Sequence, residues 1–454
     1  MAPIVYNSNG LNKTAAWDLK SAAHLLSRTT YGYTKQDLEF ALSMTLDEFV
    51  DNHLLADKPA PQSPGFWVTD TSNTNSNVRY YELTFWWFNQ MLTQGLSFRE
   101  KMVLFLHNHF VSELSVVSLP QRMYWQNKLF RDHCFGNFKE LTVQVTTDPA
   151  MLIYLDGTKN HKGDPNENYA RELNELFTIG IGNYTEQDIA EAARALTGWQ
   201  VEDLTSFFNP DRFDNTDKTF MGQTGNFNHI NIIDIIFSQP ETANYISRKL
   251  FKEFVHFEPN ETIVQQLGQV FRENNYEIKP LLSTLLKSAM FYTDEIMGAK
   301  IKSPVEMIIG VMKQFNIQNP DYDYMRREAN QIGQTLFAPP NVAGWQGDKV
   351  WISTNTLPAR HIFSDSIISG RNSDLNIIDF ARTYSSAEDA VQFVEDVAST
   401  FLAYPLSENR KTYLLEILLD GAAVYDWSTY NQNAEDRLKD FFKALLRLSE
   451  YQLT

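Results

Sequence analysis

Along most of the chain, apolar residues recur every three or four positions. This is the period of a helix with one buried face, and strict strand-like alternation is scarce. Over 18–28, Leu19, Ala22, Ala23 and Leu26 share one side. Over 34–54 the pattern predicts a pair of helices, opened by Thr34 with Asp37 three residues on, the spacing at which a hydroxyl and a carboxylate cap each other's backbone amides. Arg79 to Gly95 reads as an aromatic-rich helix holding Trp86 and Trp87. Ser97 and Glu100 mark the start of another, running to about Val111 with Met102, Val103, Leu104, Phe105 and Leu106 on every side, which predicts burial all round. The same period predicts helices at 120–134, 137–146, 148–155, 165–180, 185–197, 240–256, 261–274, 278–291, 303–316, 323–336, 356–370, 386–402, 407–418 and 433–449. The polar run 59–77 predicts a surface loop. Two other stretches lack helical period: 200–235, with Gly222 and Gly225, expected as a small hairpin or lid, and Pro339 to Trp351, which carries turn chemistry throughout. The predicted fold class is all-α, a large multi-helix globular body with a small irregular or β insertion around 200–235.

A chain of 454 residues with 43% hydrophobic positions has ample material for a large core, and no Gly/Ser- or Pro-rich linker divides it. The expectation is one helical domain over 1–454, divisible into two lobes, with 365–454 a candidate C-terminal helical subdomain. A formal charge of −17 repels phosphate backbones, and no basic stripe offsets it, so nucleic acid is not expected as a partner. The single cysteine, Cys134, excludes an intramolecular disulfide and a thiolate zinc site. No apolar run is long enough for a membrane span, and the first ten residues lack the basic and apolar regions of an export signal. The chain as written therefore reads as cytoplasmic, or as exported if a leader was removed before this numbering begins.

The densest concentration of chemistry is Asn166 to Phe177, followed closely by Tyr184 to Trp199. On a regular helix Glu167, Asn168, Arg171, Glu172 and Glu175 share one arc, opposite Tyr169, Ala170, Leu173, Leu176 and Phe177. Arg171 then has Glu167 one turn before it and Glu175 one turn after, a self-paired solvated face or a partly buried ionic network. A carboxylate pair in a cleft is what acid-catalysed glycosidic hydrolysis requires. Glu172, nearer the apolar boundary, is the candidate proton donor, and Glu175, beside Arg171, the candidate base. Glu186 and Asp188 fit a plain helix start behind Thr185.

These residues resemble the signature of a bacterial family known as domain of unknown function 1800. The likeness extends to Ala23–Gly32, Glu100–Phe110, Asp148–Leu152, Lys302–Glu306 and Gly333–Trp345. The resemblance implies an export signal in many members, and a neighbour protein similar to sulfatases as a partner. It implies no activity.

His107 and His109 lie two apart, so on a continuous helix they point about 200° from each other and cannot grip one ion. Each is either a buried, hydrogen-bonded core histidine or an assisting catalytic group. Asp156, Thr158, Asn160, Asp164 and Glu167 fall at positions 1, 3, 5, 9 and 12 of a calcium-loop spacing, making Asp156, Asn160, Asp164 and Glu167 weak candidates for a divalent metal. Against this, His161 stands where the loop's turn wants glycine, and a helix-connecting loop explains the same residues. Trp199, Trp345 and Trp351, beside amides and carboxylates, suit a sugar ring or anchor helix ends, and with Arg171 and Asn168 they are the candidate substrate-binding set. No P-loop, dinucleotide fingerprint, nucleophile elbow or His-Glu-x-x-His occurs. The leading expectation is a hydrolase or lyase on a polar, carbohydrate-like substrate, using Glu172 and Glu175 with His107 or His109, around a pocket with Trp345 near its rim. The alternative is a non-catalytic binding or assembly protein of an envelope or secreted complex.

Overall fold

The computed structural model describes residues 10–14, 16–72 and 74–454. Nine of the ten residues read for an export signal, 1–9, lie outside them, as does Asn73 of the polar loop. The described residues form 22 α-helices and two small antiparallel sheets. In one sheet β1 (Trp199–Glu202) pairs with β2 (Thr205–Phe208), Trp199 facing Phe208. In the other β3 (Lys218–Phe220) pairs with β4 (Gln223–Gly225). The chain is therefore mostly α with a small strand insertion, as its periodicity predicts. No helix among the described residues is long and apolar enough to cross a membrane.

The insertion ends earlier than the sequence suggests. His229–Phe237 is a helix, with Ile232, Ile233, Ile235 and Ile236 buried. Four isoleucines in five positions read against a helix because branched side chains are stiff there. Asn228 decides otherwise: its side chain caps the amides of Ile230 and Asn231, and the apolar run has a core to pack into.

Helix starts follow the sequence closely. Thr34 with Asp37 and Thr185 with Asp188 form the reciprocal caps that their spacing predicts. Ser97 and Glu100 do not. The Ser97 hydroxyl accepts from the Arg99 amide at 3.2 Å, while Glu100 turns inward to take two bonds from Arg131, both at 2.7 Å, and one from Trp87 at 3.0 Å. The helix it belongs to, Arg99–His109, is buried almost all round.

Charged residues of the other motifs also serve as internal braces. Lys101 pairs with Glu306. Arg28, on the first helix (Leu19–Thr29), donates to the carbonyls of Phe254, Val255 and Ile296, so it caps the end of Pro240–Phe254. Arg360 donates to the Lys302 carbonyl at 2.7 Å and to Gln452 Oε1 at 3.2 Å, and Lys302 donates to the Tyr451 carbonyl at 2.7 Å. Such contacts satisfy charges that would otherwise be costly to bury. One cluster of buried apolar residues runs from Ala22 to Tyr451.

Candidate functional site

The helix carrying the richest motif is α-helical only over Asn168–Glu172, then widens into a π-helical turn, Leu173–Thr178. Such turns release carbonyls from the regular ladder, and they recur at functional sites. Here the released carbonyls are taken by side chains from two other helices. The Leu176 carbonyl accepts from the Tyr245 hydroxyl at 3.0 Å and from Lys249 Nζ at 2.9 Å, and the Phe177 carbonyl accepts from His109 Nε2 at 2.9 Å.

These bonds set the chemistry of His109. A carbonyl only accepts, so Nε2 carries the proton and Nδ1 presents its lone pair, to which Lys249 Nζ donates at 3.3 Å. Burial, then the Lys249 charge, hold the imidazole neutral by pushing its pKa well down. Burial and the nearby Lys252 charge lower Lys249 to about 8. A lysine there exchanges its proton near neutral pH.

His109 and Lys249 line an open cleft of about 510 Å³ that also takes in Lys252, Lys300, Lys349 and Trp345. Its lip is the turn-rich segment before Trp351, fixed from behind by Asn108. That side chain accepts from the Trp345 amide at 2.7 Å and donates to the Trp345 carbonyl at 3.1 Å. The approach is close enough to require glycine next door: a Cβ on Gly344, at φ +77°, would sit 2.2 Å from Asn108 Oδ1 and 2.6 Å from its backbone oxygen. A larger cavity of about 740 Å³ elsewhere is lined by Arg99, Arg131, Asp51 and Asp132, but these charges are engaged by protein partners.

Of the residues singled out from sequence, His109 and Trp345 thus meet at the cleft. His107 does not line it. It is sealed among Trp87, Phe337 and Trp345, and burial lowers its pKa to about 3. Glu172 and Glu175 lie outside the cleft lining. Glu172 has its pKa raised by burial and by Glu175, as expected of a proton donor. Arg171 does not pair with Glu175. It bonds Glu167 at 3.1 Å and Glu186 at 2.7 Å, while Glu175 accepts from the Tyr184 hydroxyl at 2.9 Å. Glu186, at the start of the next helix, takes both guanidinium nitrogens of Arg171, at 3.0 and 2.7 Å, while Tyr184 takes Glu175.

Asn168 donates to Asp156 at 3.1 Å. The calcium-loop residues serve other partners: Asn160 is buried, bonding the Ala193 carbonyl and the Asn166 amide, and Asp156 also pairs with Lys159. Asp156, Asp164 and Glu167 do not gather, and no group of three metal-binding side chains of His, Cys, Asp or Glu type occurs among the described residues. Trp199 packs edge-on against His229 in the insertion, and Trp351 is buried.

Sequence reasoning missed Asn108, Tyr245 and the four lysines. Lys249 and Lys252 are three apart and so share a helix face, a signal present in the sequence. Lys300 and Lys349 join them only through the fold.

Compared with known proteins, residues 24–453 match the family described as protein of unknown function (DUF1800). No curated protein and no solved structure matches the chain.

Proposed function

Starting from the chain's membership of the DUF1800 family, we propose that this protein is an enzyme, a hydrolase or lyase acting on a polar substrate bound in the cleft beside the π turn. The observation that carries this reading is the Lys249–His109 pair on the cleft wall. Free-base Lys249 can take a proton from water, giving hydrolysis, or from substrate carbon, giving elimination. Lys249 would be the general base, and His109 a positioning residue that accepts its N–H and holds it against the Leu176 carbonyl. Trp345 touches the cleft but is buried, its ring packed against His107, so it braces the lining.

The test is a panel of neutral and acidic oligosaccharides, assayed for new reducing ends and for the ultraviolet absorbance of unsaturated products. Activity should rise with pH through about 8, where Lys249 loses its proton, and should fall at least about a hundredfold in Lys249→Met with melting little changed. Turnover unaffected by Lys249→Met would refute the assignment. Ligand binding without turnover on any substrate would favour a non-catalytic binding protein.

A second catalytic reading rests on the raised pKa of Glu172 beside Glu175. In that case Glu172→Gln, which keeps the shape and removes the titrating group, abolishes turnover while Lys249→Met does not.

A further inference from the structure

We propose that the cleft beside the π turn selects ligands carrying an oxyanion, a carboxylate, sulfate or phosphate group, which Lys252, Lys300 and Lys349 receive. This deepens the enzyme reading by naming the substrate class, and it rests on this cleft being the binding site.

The first support is the charge of the lining. Four lysines face two carboxylates, Glu253 and Asp348, in a chain whose net charge is −17. Over the molecule as a whole an anion is repelled, so a local cationic surplus runs against the general field and concentrates the anion at one place.

The second support is how the lysines are held. None of the four has a carboxylate within ion-pair distance among the described residues, although elsewhere Lys101, Lys287, Lys411 and Lys439 all do. Lys300 donates to the Lys252 carbonyl at 2.8 Å, and Lys249 to the Leu176 carbonyl and His109. Lys349 lies over the Phe257 ring at 5.1 Å. An ammonium has three donors, so two remain on Lys300 and all three on Lys252 and Lys349. Lys249 and Lys300 are held by carbonyls and Lys349 by a ring, and an oxyanion accepts several charge-assisted hydrogen bonds at once.

The third support is mutual repulsion. Lys249 and Lys252 act on each other as like charges, the second cause of the low pKa of Lys249. An anion held by Lys252 offsets that repulsion, so the rise of turnover with pH should move upward for an oxyanion substrate, with Lys249 still acting as the free base.

Isothermal titration of the full chain at fixed ionic strength, with sulfate, phosphate, glucuronate and glucose as probes, tests the proposal. The expected result is one saturable site for at least one oxyanion and none for glucose. Affinity should weaken at least tenfold in Lys252→Met/Lys349→Met, fall as chloride is raised, and be unaffected by Lys128→Met on a distant surface. Which oxyanion binds best distinguishes a carboxylated from a sulfated or phosphorylated substrate. Absence of binding by all three oxyanions, or equal affinity in the double variant, overturns the proposal. Its failure is separable from that of the enzyme reading. Oxyanion binding with turnover indifferent to Lys249→Met would leave the site and remove the base, whereas turnover of neutral sugars only, lost in Lys249→Met, would leave the base and remove the anion.

Discussion

Two side chains two residues apart show what single residues could and could not disclose. His107 and His109 were separable from sequence to the extent that they must face opposite ways. Which faces the cleft was not legible, because Arg99–His109 is buried on nearly every side and offers no apolar arc to mark inside from outside. Between them Asn108 does the positioning, clamping the Trp345 backbone at both its amide and its carbonyl. Gly344 is the complementary half of that contact. Gly344→Ala should destabilise the protein by about 1–3 kcal/mol from its left-handed backbone alone, with more from the clash with Asn108, measured by denaturant unfolding. Melting equal to the parent would mean that the lip is not held in this way. Asn108→Ala should release the same segment and cost about 1–3 kcal/mol, since two backbone groups lose a partner.

At the scale of elements, most helices were legible because their apolar faces and caps agree, as at Thr34 with Asp37. The exceptions share a cause. Each depends on contacts distant in sequence that override the local signal. His229–Phe237 is helical despite its isoleucines because they are buried, and the π turn is stabilised by donors from Tyr245, Lys249 and His109. Nothing local announces that turn, nor that Glu186 from the next helix would take Arg171 in place of Glu175. The Arg171 network is correspondingly exposed, with about a third of the arginine side chain in solvent and Glu186 three-quarters exposed. Arg171→Ala should therefore shift melting by no more than about a degree or two, the behaviour of a surface pair. A large drop would show that the network braces the π turn. Tyr245→Phe, which removes one donor to the Leu176 carbonyl, should instead cost about 1 kcal/mol and leave the cleft lysines in place.

Across the whole molecule, the acidic surface is braced from within by buried charges, and this sets the response to pH. Burial alone would raise the Glu306 carboxyl, but the Lys101 charge and hydrogen bond outweigh it and hold it down at about 2 against an ordinary 4.5. A depressed carboxyl binds its proton more weakly folded than unfolded, so its stabilisation is full above about 4.5 and is lost as pH falls toward 2. Two and a half pKa steps correspond to about 3 kcal/mol. Lys302, lowered to about 7 by burial, acts in the same direction over a different window: the unfolded chain holds this proton more tightly, so stability rises between about 7 and the ordinary 10.5. Removing one partner of the Lys101–Glu306 pair leaves the other charge buried and should cost about 3–5 kcal/mol, so Glu306→Gln alone does not isolate the effect. The double variant Lys101→Met/Glu306→Leu removes both charges while keeping the volume, and should unfold within a few kcal/mol of the parent at pH 7. Its advantage should appear in acid. Between pH 4.5 and 3 the parent should lose stability faster than the double variant, and parallel curves would mean that Glu306 carries no depressed pKa.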